Sequence, residues 1–76
     1  MSISEANKPL ADGIRVLIIK NGLKNSYIAQ KAGYTDQNLS DMLNGRKLIK
    51  ACDIPRLAYA LNVSSDEIYE AGREAT

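Results

Sequence analysis

Apolar residues recur along this chain at helical rather than strand spacing, and four polar or glycine-containing breaks interrupt them. Leu10, Ile14, Leu17 and Ile18 make the first stripe, with Arg15 and Lys20 off it. Pro9 fixes its own φ and turns Lys8 away from helical geometry, so a first helix is predicted from Pro9 or Leu10 to the Asn21-Gly22 stop. Leu23 follows as an anchor, and Asn25 or Ser26 is the expected cap of a second helix that turns Ile28, Ala29 and Ala32 inward and ends at Gly33. Thr35 offers a hydroxyl to the free amides of a third helix, and Asp36 complements its positive end. That helix buries Leu39, Met42 and Leu43 and stops at Asn44-Gly45. Beyond a basic loop, Asp53 is the expected cap of a fourth helix, with Pro55 in its first turn and Leu57, Ala58 and Leu61 inward. Asn62-Val63 breaks it. Ser64 and Glu67 have the spacing of a capping box, which opens a fifth helix with Ile68 inward that runs to Ala71 or Gly72.

The fold class that follows is all-α: a compact five-helix domain with no strand and no internal repeat. Residues 1–8 are expected to be a flexible N-terminal arm, 9–72 the folded domain and 73–76 a short tail. Seventy-six residues make one domain that buries about 60% of its unfolded surface, which leaves little room for an enclosed active site. The longest apolar run, Val16 to Ile19, falls far short of the roughly 20 residues of a membrane span, and a cytoplasmic location is expected. Cys52 is the sole cysteine and there is no histidine, so neither an internal disulfide nor a familiar zinc set can form and no cofactor is expected. Cys52 itself reads as a small buried or half-buried residue, Leu48 and Ile49 as core, and Tyr27, Tyr59 and Tyr69 as packing residues. Nothing resembles an activated nucleophile or a phosphate-binding loop, which argues against an enzyme. The net charge is only +1, but Arg46, Lys47, Lys50 and Arg56 stand in the middle of the chain, and Asp66, Glu67, Glu70 and Glu74 near its end.

The informative unit is the junction at Gly33. A small residue, Ala29, precedes that glycine by four positions, and Leu39 returns the chain to the core, which is the spacing of a helix-turn-helix. In that motif the first helix rests on the sugar-phosphate backbone while the second turns its outer face to base edges. Ile14-Arg15-Val16-Leu17-Ile18, Gly22-Leu23, Ile28-Ala29, Ala32-Gly33, Leu39-Ser40, Leu43-Asn44-Gly45-Arg46 and the run from Ile54 to Ser64 resemble the lambda-repressor and Cro family, also called the XRE family, over roughly residues 10–70.

The resemblance implies a sequence-specific transcriptional regulator of double-stranded DNA, commonly a repressor of phage or bacterial origin, that binds a near-palindromic operator as a homodimer. It places Asp36, Gln37, Asn38 and Asp41 against the bases and Asn25, Asn44, Arg46 and Lys47 against phosphates. Lys50 extends the basic loop, and Tyr34, standing where the family has a smaller aliphatic residue, implies either a looser turn or a phenol reaching towards the DNA backbone. The chemistry agrees. A primary amide can give and take a hydrogen bond at an adenine edge, and a carboxylate can accept from the cytosine amine. Phosphate contacts by Arg46, Lys47 and Lys50 would supply position and salt-dependent affinity without sequence information. The chain departs from the family in starting its second helix with Lys24-Asn25 and in carrying acids but no base on its reading helix. Those acids motivate a second reading, a protein-interaction module of the same fold, antirepressor-like or antitoxin-like, whose ligand is a protein partner. For a homodimer, Val63, Ile68, Tyr69 and Ala71 are the expected apolar contact.

Overall fold

The computed structural model describes the backbone of residues 3–75 and the side chains of residues 7–74. Five helices form, one on each of the five stripes: α1 (Ile3–Lys20), α2 (Asn25–Ala32), α3 (Asp36–Leu43), α4 (Asp53–Leu61) and α5 (Ser65–Ala75). No strand occurs among the described residues. The capping box at α5 is made in both directions, the Ser64 N–H donating to Glu67 Oε2 at 2.7 Å and the Glu67 N–H to Ser64 Oγ at 3.2 Å. Thr35 caps α3 as expected, its Oγ1 accepting from the Asn38 N–H at 3.0 Å.

The first helix departs most from its prediction. It begins at Ile3 and carries Pro9 inside it, so residues 3–8 are helix rather than a separate arm; Met1 and Ser2 lie outside the described residues, as does Thr76 at the other end. A proline inside a helix costs about 3 kcal/mol, so tertiary contacts must outweigh it. Two are visible. Asn7 is buried, and its Oδ1 accepts the Ile49 N–H at 3.0 Å, tying α1 to the basic loop. A Cβ on Gly13 would lie 2.7 Å from the Gly72 nitrogen and from the Ile68 carbonyl oxygen, and one on Gly72 would run into the Pro9 carbonyl. Residues 9–13 therefore lie backbone to backbone against residues 68–72, and glycine at both positions is what permits it. The same contact explains why Gly72 does not end α5, which continues to Ala75.

The core is shared by all five helices. Ile14, Ile28, Leu39, Met42, Leu57 and Ile68 are its fully buried large side chains, and Ile49 adds the loop. Leu48, expected beside it, is exposed: residues 48–50 run without helical turns, so neighbouring side chains point to opposite sides and only Ile49 faces inward. Cys52 is also exposed rather than buried, because it sits at the outer N-terminal corner of α4. It, not Asp53, holds the N-cap position; Asp53 is the first helical residue and uses its side chain elsewhere. Ile68 and Ala71 are consumed by the domain's own core, which leaves of the expected dimer contact only exposed Tyr69 and half-buried Val63. Tyr27 and Tyr59, expected to pack, are exposed as well, with the Lys31 ammonium 5.7 and 5.2 Å from their ring centres. No described helix is long and apolar enough to cross a membrane.

Candidate nucleic-acid interface

The geometry begins at the turn between α2 and α3. Gly33 takes φ 85°, a left-handed conformation open to glycine without strain, and the Tyr34 N–H returns to the Ala29 carbonyl at 2.8 Å. This closes α2 and redirects the chain within the three residues Gly33 to Thr35. From α4, Arg56 donates through Nε to the Ala32 carbonyl at 3.0 Å and through NH2 to the Gly33 carbonyl at 3.2 Å. Its guanidinium also lies 4.4 Å from the centre of the Tyr34 ring. The Tyr34 hydroxyl donates to Asp53 Oδ1 at 2.6 Å, and the Lys50 N–H donates to Asp53 Oδ2 at 2.9 Å. One buried carboxylate thus joins the turn, the basic loop and α4. The phenol expected to reach towards the DNA backbone has its single proton committed to Asp53, and Tyr34 buttresses the turn instead.

This pairing shifts both groups. Burial, the hydrogen bond to Asp53 and that carboxylate's charge raise the Tyr34 hydroxyl well above the ordinary tyrosine range, against the opposing charge of Arg56. Burial resists ionisation of Asp53, but the Tyr34 hydroxyl, the Lys50 N–H and the charges of Lys50 and Arg56 outweigh it and hold the carboxyl below the usual aspartate range. The depressed carboxyl contributes stability above its unfolded pKa of about 3.9, lost as pH falls through its folded value. The raised phenol contributes stability below its unfolded pKa of about 10, lost as pH rises through its folded value. Urea midpoints should therefore form a plateau between those limits. In an Asp53→Asn variant the acid limb flattens relative to the parent, and in Tyr34→Phe the alkaline limb does. Variant and parent curves that run parallel across both limbs would sink this assignment.

On α3, Leu39, Met42 and Leu43 face the core and leave an outer face of Gln37, Ser40, Asp41 and Asn44, with Asp36 and Asn38 along its edges. Asp36 and Gln37 are exposed; Asn38 and Asp41 are half-buried. The polar groups of this face are paired with one another: Gln37 Nε2 donates to Asp41 Oδ1 at 2.9 Å, and Asn44 Nδ2 to Ser40 Oγ at 3.2 Å. Ser40, which sequence reasoning passed over, so joins the predicted set.

The basic loop is wound directly onto this helix. The Arg46 and Lys47 N–H groups donate to the Asp41 carbonyl at 2.8 and 3.2 Å, so both cations leave from the C-terminal end of this outer face. Arg46 is exposed and Lys47 half-buried. Lys50 is exposed too, but its backbone is anchored at Asp53, nearer the turn. Asn25 is the exposed first residue of α2; Lys24 holds the cap position without a side-chain hydrogen bond, which corrects the expected asparagine or serine cap. An α2 N-terminus without a side-chain cap presents backbone amides, the usual ground for an anion. Two cations were missed. Arg56 supports the turn, and Arg15 of α1 reaches the end of α3, where its NH2 donates to the Leu43 carbonyl at 3.1 Å and to Asn44 Oδ1 at 2.6 Å. Nothing local in the sequence points to these contacts, since the partners lie 24 and 28 residues away.

The fold is known from a solved structure. The chain is similar to the crystal structure of the clp gene regulator ClgR from C. glutamicum, with a TM-score of 0.85 over 92% of this chain and 91% of that one, at 17% sequence identity. A likeness of this extent at this identity is one of fold, and the five-helix arrangement is common to both. No family model matches the chain, and no curated protein does.

Proposed function

We propose that this chain is a sequence-specific, double-stranded DNA-binding transcriptional regulator that reads the major groove with α3. The observation that carries the reading is the outer face of α3, an amide and a carboxylate presented side by side with Arg46 and Lys47 folded back onto the same helix. Base-reading and phosphate-holding groups need that adjacency, because phosphate contacts set the register in which a side chain meets a base edge. Gln37, Asp41, Asp36 and Asn38 read; Asn25, Asn44, Arg46, Lys47 and Lys50 hold the backbone. The finer assignment follows the resemblance in the sequence: a repressor of the lambda-repressor and Cro kind, of phage or prophage type, acting in the cytoplasm as a homodimer on a near-palindromic operator. The likeness to ClgR supports the coarser part, since that structure is of a gene regulator.

Selection of bound sequences from a random duplex pool tests it. Gln37→Ala should change the selected sequence at one position in each half-site, at a cost of about 1 to 3 kcal/mol for the preferred base. Lys47→Ala should weaken every duplex alike. If neither substitution alters binding to any selected DNA, α3 is not the reading element.

A second reading is favoured by the exposed Tyr27, Lys31 and Tyr59 cluster, an aromatic and cationic surface that the DNA reading does not use. On that reading the domain is an antirepressor-like or antitoxin-like module that holds a protein partner. Co-purification of a partner together with no DNA affinity at about 50 mM salt, where phosphate contacts are strongest, would decide for it.

A further inference from the structure

Arg15 lies on α1, outside the helix-turn-helix, yet its guanidinium is fixed on the end of the reading helix. Both hydrogens of its NH2 group are spent, one on the Leu43 carbonyl at 3.1 Å and one on Asn44 Oδ1 at 2.6 Å. Leu43 is the last residue of α3, so this carbonyl is one of those a helix leaves unbonded, and it carries the negative end of the helix dipole. A cation there is stabilised. Asn44 in turn holds Ser40 through Nδ2, so the guanidinium is the outermost member of a chain of hydrogen bonds that runs back onto the reading face.

The Nε hydrogen and the two NH1 hydrogens have no partner among the described residues. Arg15 is exposed and borders an open cleft of about 350 Å³ between α1 and the end of α3, lined also by Asn7, Lys8, Asp12 and Gly45. Lys8 and Asp12 neutralise each other there at 2.9 Å, so Arg15 supplies the cleft's net charge. A surface arginine ordinarily loses rotamer freedom on taking a ligand; this one is already held, with a planar set of donors of the kind that matches a phosphate.

We propose that Arg15 is a phosphodiester-binding residue of the DNA interface, held by α3 so that its remaining N–H donors meet the backbone beside the bases that α3 reads. This rests on the DNA-reading function proposed above. It makes α1 part of the interface and gives the reading helix a cation at its own terminus, which its sequence lacks.

The test is the salt dependence of affinity for the full chain, measured by fluorescence anisotropy from about 50 to 200 mM salt on a selected duplex and on one of unrelated sequence. Arg15→Gln should reduce the slope of log K against log salt by about 0.9 on both duplexes, the change expected when one fewer phosphate is neutralised. Arg15→Lys should keep the slope, since the charge remains, while losing affinity by about threefold with the fork. Asn44→Ala should also keep the slope, because it removes the anchor and leaves the charge. An unchanged slope in Arg15→Gln overturns the proposal whatever happens to affinity, and would make the residue a brace for α3 only. Should Arg15→Gln not fold, parental affinity in Arg15→Lys overturns it equally. A parent protein that binds neither duplex ends the DNA reading itself, and this inference with it.

Discussion

Replacing Gly72 with alanine should lower the melting temperature by roughly 8 to 16 °C. The new methyl group would meet the Pro9 carbonyl, which is backbone and has no rotamer to give way. Overpacking at such a place costs typically 1 to 3 kcal/mol and occasionally more, and the better helix propensity of alanine returns only about 1 kcal/mol. Gly13→Ala should behave alike, since its Cβ would press on the Gly72 nitrogen and the Ile68 carbonyl. The two changes act on one crossing, so together they should cost less than the sum of their separate effects. Thermal unfolding followed by circular dichroism reads this directly. A Gly72→Ala protein that melts with the parent would mean that α1 and α5 do not meet backbone to backbone.

The second large effect is expected at Asp53. Asp53→Ala should cost roughly 3 kcal/mol in urea denaturation, because it strands the Tyr34 hydroxyl and the Lys50 N–H and removes the acid that balances Arg56. Most of that loss is the penalty for orphaned donors rather than the worth of the bonds. The same substitution in a Tyr34→Phe background should therefore cost less, since one orphan is already gone. Equal costs in the two backgrounds would show that Tyr34 and Asp53 are not coupled. DNA affinity should fall in Asp53→Ala at temperatures where the fold persists, because the turn between α2 and α3 loses its link to α4.

The helices were legible in the sequence wherever a stripe and a local stop coincide. Gly33, Thr35, the Ser64 and Glu67 pair and the burial of Leu39 and Met42 all depend on neighbours within a turn or two, and all are found as the pattern implies. Gln37 and Asp41 were legible for the same reason, being four residues apart on a helix whose other side is apolar. What the pattern hides is whatever one element does for a distant one. Pro9 is a helix start by local rules, and only Asn7 against Ile49 and the glycine contact with α5 make it an interior residue. Tyr34 read as a donor looking for a phosphate until Asp53, 19 positions on, took its proton. Leu48 and Ile49 are equally apolar in sequence, and which one turns inward goes with the hydrogen bond that the Ile49 N–H donates to Asn7 of α1.

The clasp between residues 9–13 and 68–72 joins parts of the chain that are almost its whole length apart, so folding must close a long loop before this contact returns anything. The two segments are in consequence coupled: displacing one removes the backbone contact that seats the other. A protease that trims α5 would unseat α1, and α1 carries Asn7, the tether of the loop from which Lys47 and Lys50 extend. Damage at the far end of the molecule would thus be felt at the surface proposed to hold DNA, through the backbone rather than through any charge.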